Sequence, residues 1–386
     1  MAAIDFPSSP SENQLFTAAT GLVYRYNSPV WNVVSGAVSA EQYNRIVNGS
    51  LLISQQNGLT DGTVNTLSMA DQWGMYYTAA AGVFRGQRIN TTTPAGGAYR
   101  MRVTINTANA SPAAGDFLYL RQPIEGYRVA DFGYGAAGAH QMVIRFGWKS
   151  PAGTYAVSVR NDAFDRSYVA TFVISSGQAN TDTLQTLVIP GDTSGTWQKE
   201  NLGGLWLGWM LQSGTTYHTT ANTWASGSFT GITGMQNNVN TSTAVFELFD
   251  IGVYRDPYKT GIAPQWQAID SGAEHLQCSR YYWVSNYGNS RGAANVGSLV
   301  GHSLVANYVG LGNWRFTVPM RITPTITLWA NGTQNQIRNI SSGAYTAAGG
   351  VTGQASFTPQ GGSNFSVTTV AASIWWDFDL QANARM

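Results

Sequence analysis

The chemistry-bearing pattern closest to the C-terminus is Ser373-Ile-Trp-Trp-Asp-Phe-Asp-Leu380, in which two carboxylates alternate with apolar residues beside a tryptophan. On an extended strand, residues i and i+2 share a face, so Trp375, Asp377 and Asp379 project to the same side. That spacing sets the aspartate α-carbons about 7 Å apart, within the carboxyl separations an inverting glycosidase uses. The same geometry also suits a bound cation or a merely solvated strand face. A further use involves no catalysis: a flat indole stacks on the apolar face of a pyranose while neighbouring polar side chains take its hydroxyls. This last reading is adopted, with no catalytic residue and no metal ligand assigned.

Alternation extends the set. In Leu205-Trp-Leu-Gly-Trp-Met-Leu211 the inward series Leu205, Leu207, Trp209 and Leu211 leaves Trp206 on the opposite face. By the same argument Trp329 lies with threonines, and Trp224 follows in the loop-rich Thr219-Thr-Ala-Asn-Thr-Trp224. The expected ligand-facing residues are therefore Trp375, Asp377 and Asp379, with Trp329, Trp206 and Trp224 beside them. His140, His218, His275 and His302 are scattered without metal-ligand spacing or a triad context, so each is read as structural. Gly133-Tyr-Gly135 and Gly203-Gly204 precede no helix and are read as turn glycines, not a phosphate cradle. No cofactor is expected.

The elements that must hold these residues are strands. Arg145-Phe-Gly-Trp-Lys-Ser150 to Ser175, Leu187 to Trp197, Leu202 to Trp224 and Ala244 to Pro257 each alternate apolar with small or polar residues between Gly, Pro, Asn and Asp clusters. The expected fold is all-β: a central jelly-roll β-sandwich with Trp148, Tyr155, Val157, Val159, Trp209 and Phe249 in its core. A smaller C-terminal β-sandwich follows. In it Trp314, Phe316, Val318, Met320, Ile322, Ile326 and Leu328 share one face, Pro319 and Pro324 making this either an edge strand or two strands with a break, and Ile374, Trp376, Phe378 and Leu380 point inward. Two short helices are expected, one near 40–47 from the capping box Ser39 to Gln42, the other near 272–283 from Ser271 to Glu274.

Composition agrees with a strand-rich chain. The 386 residues include 43 Gly, 13 Trp and 19 Tyr but only 11% charged residues, the profile of a Gly-rich β protein. With 21 basic against 20 acidic residues there is no field to draw in nucleic acid or an anionic membrane. Cys278 is the one cysteine, which excludes an intrachain disulfide and leaves a buried, unreactive thiol as the expectation. The start Met-Ala-Ala-Ile-Asp-Phe-Pro carries no basic or apolar leader, and no apolar run approaches the ~20 residues of a membrane helix. The chain is expected to be made soluble in a reducing cytoplasm.

The order of these segments resembles the jelly-roll domain of tail-fibre and head-fibre proteins of tailed bacteriophages, a relative of carbohydrate-binding modules. The residues that carry it are Trp148-Lys-Ser150, Gly153 to Asn161, Tyr168 to Ile174, Ile189 to Trp197, Thr219 to Trp224 and Phe249 to Val253. Two flanks fit the same source: Arg45-Ile-Val-Asn-Gly49 with Asp71-Gln-Trp73, and Glu274 to Tyr282 with its Cys278 and Arg280. The likeness spans roughly residues 45–283. It implies three parts: an N-terminal β-hairpin attachment segment (1–38), the jelly roll (39–270) and the C-terminal β domain (271–386). The segment 1–38 is too small to bury a core of its own and is expected to dock on other virion proteins.

The resemblance further implies a virion location, host-surface glycan as partner, and a homo-oligomer, most often a trimer. Capsid and tail attachment both stay open. One rival is a purely structural head-decoration or tail-adaptor protein, whose rings would be buried between subunits. The other is a polysaccharide depolymerase, although the long β-helix repeats that usually carry such a site are missing from the sequence.

Overall fold

The computed structural model describes residues 5–18, 23–33, 40–78, 83–235, 237–286, 299–347, 351–352, 357–367 and 372–386. The N-terminal piece is a three-stranded antiparallel sheet of Leu15–Thr17, Val23–Asn27 and Val30–Val33. The sheet is held by rings: Phe6 stacks on Trp31 at 5.2 Å, and Phe16 and Tyr24 close around Phe6.

The central fold is a β-sandwich of a seven-stranded and a five-stranded sheet. In the larger sheet, Gly203–Ser213 is flanked by Gly153–Arg160 and Phe117–Glu125, all antiparallel. In the smaller, Val245–Asp256 runs between Gln141–Lys149 and Tyr99–Thr107. The core between them takes alternate residues from both sheets: Leu205, Leu207, Trp209, Leu211, Tyr155, Val157 and Val159 meet Ile144, Phe146, Trp148, Phe246 and Leu248. Trp209 packs edge-on to Phe146 at 5.8 Å and against Trp73 at 5.3 Å. The jelly-roll expectation holds here, and five of the six core residues named for it sit between the sheets.

Phe249 is the exception. It is fully buried, but the ladder shifts register between Phe249 and Gly252, which turns the ring onto the outer face over Gly147. A Cβ at position 147 would lie 2.0 Å from that ring, so only glycine fits. Arg100 caps it from above, 4.3 Å from the ring centre.

The helix expected near 40–47 is absent, and its proposed cap Ser39 lies outside the described residues. The backbone donors of this segment bond outward instead: Ala40 to Ile262, Glu41 to Arg255 and Arg45 to Val253. Gln122 then binds both the N–H and C=O of Val47. Pairing to neighbouring segments thus outcompetes a short helix that has little packing of its own. A single helical turn, Gly126–Val129, forms where none was expected. The second expected helix exists over Ser271–Ser279, capped by Asp270, whose Oδ1 accepts from Gly272 and Ala273. It ends before 283 because Tyr282–Val284 pairs as a strand with Gln381 to Asn383.

That last pairing leads into the C-terminal domain, organised around the long strand Ile374–Asn383. Its first half pairs with Leu299–Val305 and Gln336–Asn339, its second with Thr325–Ala330 and Tyr282–Val284. Trp376, Phe378 and Leu380 point into a second core with Phe316, Met320, Ile326 and Leu328. The expected break is real, since one strand ends at Arg315 and the next begins at Thr325. Ile322, expected inward, lies within that break and is exposed.

Because Trp209 is buried among aromatic rings with no room for collapse, Trp209→Ala should cost about 3–5 kcal/mol in denaturant unfolding, with a loss under ~1 kcal/mol contradicting its place in the core. Cys278 packs against Val47, Ile53 and Tyr281, and burial pushes its thiol pKa well above the usual range. A thiol reagent should therefore label the native protein slowly and the urea-unfolded protein at once.

Candidate functional site

The C-terminal strand does bring Trp375, Asp377 and Asp379 to one face, opposite the apolar series. Their surroundings differ sharply. Trp375 is 54% exposed and packs on His302, directly across the ladder, with ring centres 4.6 Å apart. Exposed Ile340 donates its backbone N–H to the Trp375 carbonyl at 3.0 Å, and exposed Val300 lies opposite Asp377. Together these form a shallow patch whose one large flat ring faces solvent.

The carboxylates are not open acceptors, contrary to the expectation. Asp377 is held by Arg338, which pairs with it across the ladder and donates Nε to Oδ1 at 2.9 Å, with Nη2 on Oδ2. Hydrogen bonding to Asp377 holds the Arg338 guanidinium above the ordinary arginine range. Asp379 is only 2% exposed, lies opposite Trp329, and accepts from Asn286 at 3.4 Å. The face thus offers an indole, an imidazole and an Arg–Asp pair. Among the described residues no cluster of three His, Cys, Asp or Glu side chains could hold a metal ion.

The remaining tryptophans are elsewhere. Trp206 is 9% exposed rather than open: its Nε1 donates to Asp162 at 2.9 Å, and Phe164 from the same loop covers the ring. Alternation placed it on the correct face, but that face is roofed. Trp224 donates to the Pro190 carbonyl, meets Tyr134 and Trp197 edge-on and packs tilted on Tyr168, so it closes one end of the sandwich. Trp329 is half-buried in the strand beside Asp379.

Sequence reasoning missed a cleft of about 510 Å³ where the sandwich meets the Ser271–Ser279 helix. Exposed Tyr43, Tyr127 and Leu276 line it, with Val318 and Pro319 opposite. These residues come from separate segments with no common motif. At its base Glu125 accepts from Arg280 Nε at 2.8 Å, Arg280 Nη2 at 2.6 Å and the Tyr281 hydroxyl at 2.8 Å. Glu125 and Arg280 are thus committed to each other, while Arg128 donates to the carbonyls of Arg45 and Asn44.

No family model and no curated protein matches the chain. Among solved structures it is similar to the enzymatically active domain of tailspike protein 4 of bacteriophage CBA120, at 10% identity and TM-score 0.31. That match covers 58% of this chain but only 24% of the tailspike chain. A family 61 carbohydrate-binding module in complex with β-1,4-galactotriose is 9% identical at TM-score 0.28, covering 55% of this chain and 99% of the module. A family 11 carbohydrate-binding module of Clostridium thermocellum, in complex with a β-1,3-1,4-mixed-linked tetrasaccharide, is 10% identical at TM-score 0.25, covering 51% and 95%. At these scores the fold rests on the strand pairing itself.

Because Asp377 neutralises a largely sheltered Arg338, Asp377→Asn should lower stability by about 1–3 kcal/mol in urea unfolding. An unchanged midpoint would show that the pair is solvent-screened.

Proposed function

We propose that this chain is a bacteriophage virion appendage protein that binds host-surface glycan without cleaving it. The observation that carries the glycan reading is the exposed Trp375 indole seated on His302 and bordered by the Arg338–Asp377 pair. The ring supplies an apolar platform for a sugar face, and the imidazole supplies a polar group at its edge. A hydrolytic role is disfavoured by the same geometry, because Asp377 is bound to arginine and Asp379 is sheltered. The virion setting is supported by the fibre-like motifs between residues 45 and 283. The small N-terminal sheet, bound together by its own rings, is the part that attaches to other virion proteins. A shallow site binds weakly, so adsorption draws on several copies presented together in a homo-oligomer.

A glycan array with the intact protein should find ligands, and Trp375→Ala should weaken the best of them by about 1–2 kcal/mol in calorimetry. Particles carrying the variant should adsorb poorly. Unchanged glycan affinity in a folded Trp375→Ala protein would sink the assignment of the site.

A further inference from the structure

The outer face of the seven-stranded sheet carries two arginines whose charge the protein does not balance. Arg121 and Tyr119 alternate on one strand, and Arg160 lies opposite Trp206 on a neighbouring ladder. Among the described residues neither guanidinium comes within 4.0 Å of a carboxylate. Asp162, on the adjoining loop, spends an oxygen on the Trp206 indole N–H instead.

The two side chains are built in rather than trailing in solvent. Arg121 lies 3.6 Å from the ring centre of Tyr76 and 4.6 Å from that of Trp206. Glycine at position 74 makes this platform feasible, since a Cβ there would meet the Tyr76 ring at 2.6 Å. Arg160 is 8% exposed, lies 4.7 Å from the centre of Phe164 and donates Nη1 to Ser228 at 3.1 Å. The Nε of each is buried without an acceptor. Aromatic faces offset part of the cost of such charges, but a buried guanidinium without a counter-charge remains expensive. Burial holds the Arg160 pKa below the ordinary arginine range, and neighbouring Arg121 pushes the same way. Two fixed guanidinium groups flanked by rings form a receptor for an oxyanion attached to a flat, partly apolar body.

We infer that Arg121 and Arg160 form a second glycan subsite, on the sandwich rather than beside Trp375, which takes an oxyanion-bearing sugar. The inference rests on the glycan-binding reading above and adds its ligand class. The substituent is a carboxylate, as in a uronic acid, or a sulfate or phosphate ester. Tyr76, covered by Arg121, holds that guanidinium in place while the arginines take the anion.

Calorimetry on the full chain would compare tetragalacturonate, its carboxyl-reduced neutral counterpart and a sulfated tetrasaccharide of equal length. At least one charged probe should bind about tenfold or more tightly than the neutral one at low salt, the margin shrinking as salt rises. Carboxylate alone would identify a uronic acid; both charged probes would identify a general oxyanion site. Arg121→Gln, at a half-exposed position that should tolerate it, removes the margin, and Arg121→Lys keeps part of it. Arg315→Gln, an exposed arginine in the C-terminal domain, leaves the margin intact. Equal affinity for charged and neutral probes, or a margin that survives Arg121→Gln, overturns the inference. If neutral sugar still binds in a Trp375-dependent way, only this inference fails; if no saccharide of any charge binds, the glycan reading fails with it.

Discussion

The architecture turns on one buried asparagine. Asn48 sits in the left-handed region at φ 58° and is wholly inaccessible. Its Nδ2 donates to the carbonyls of Ile53 and Asp71, its Oδ1 accepts from Ile53, and its own carbonyl accepts from the Trp73 indole. Its backbone N–H donates to Glu274 at 2.6 Å. One residue therefore ties the segment leading into the sandwich, the edge of the larger sheet and the C-terminal helix. No apolar replacement could satisfy those donors and acceptors, and a buried polar network is stable only when complete.

Around this point the junction is polar and extensively hydrogen-bonded. Gln55 binds Asp71 and the Tyr282 carbonyl, Arg280 pairs with Glu125, and Ser50 donates to Glu274. Burial raises the Glu274 carboxyl pKa, while the bonds from Asn48 and Ser50 oppose that rise. Asn48, Asp71, Trp73, Glu274, Cys278, Arg280 and Tyr282 all belong to the flanking motifs singled out in the sequence. In this structure they build the seam between sandwich and C-terminal domain. Such motifs report how the domains are joined and carry no information about the ligand.

Binding chemistry is accordingly left to faces that the junction does not consume. Most arginines within the fold are balanced: Arg100 and Arg102 by Glu247, Arg166 by Asp192, Arg45 by Asp131. Against that background an open indole on the C-terminal sheet, and an arginine pair without a carboxylate partner on the sandwich, stand out.

The sequence by itself determined the strands, their inward faces and the two cores. Period-two alternation is local, and burial of one face follows wherever apolar residues keep that period, as in Leu205 to Leu211 and Ile374 to Leu380. Local pattern failed where a longer-range partner won. The segment 40–47 gave its backbone donors to neighbouring segments rather than to a helix, and a register shift moved Phe249 to the outer face. The candidate sites divide in the same way. Alternation placed Trp375, Asp377 and Asp379 on one face, but only tertiary structure supplied His302 and Arg338, exposed one ring and closed off both carboxylates. It likewise roofed Trp206 with Phe164 and set Arg121 beside Arg160. Which side a residue faces is written in its neighbours along the chain; whether that side meets solvent, a salt-bridge partner or nothing depends on segments distant in sequence.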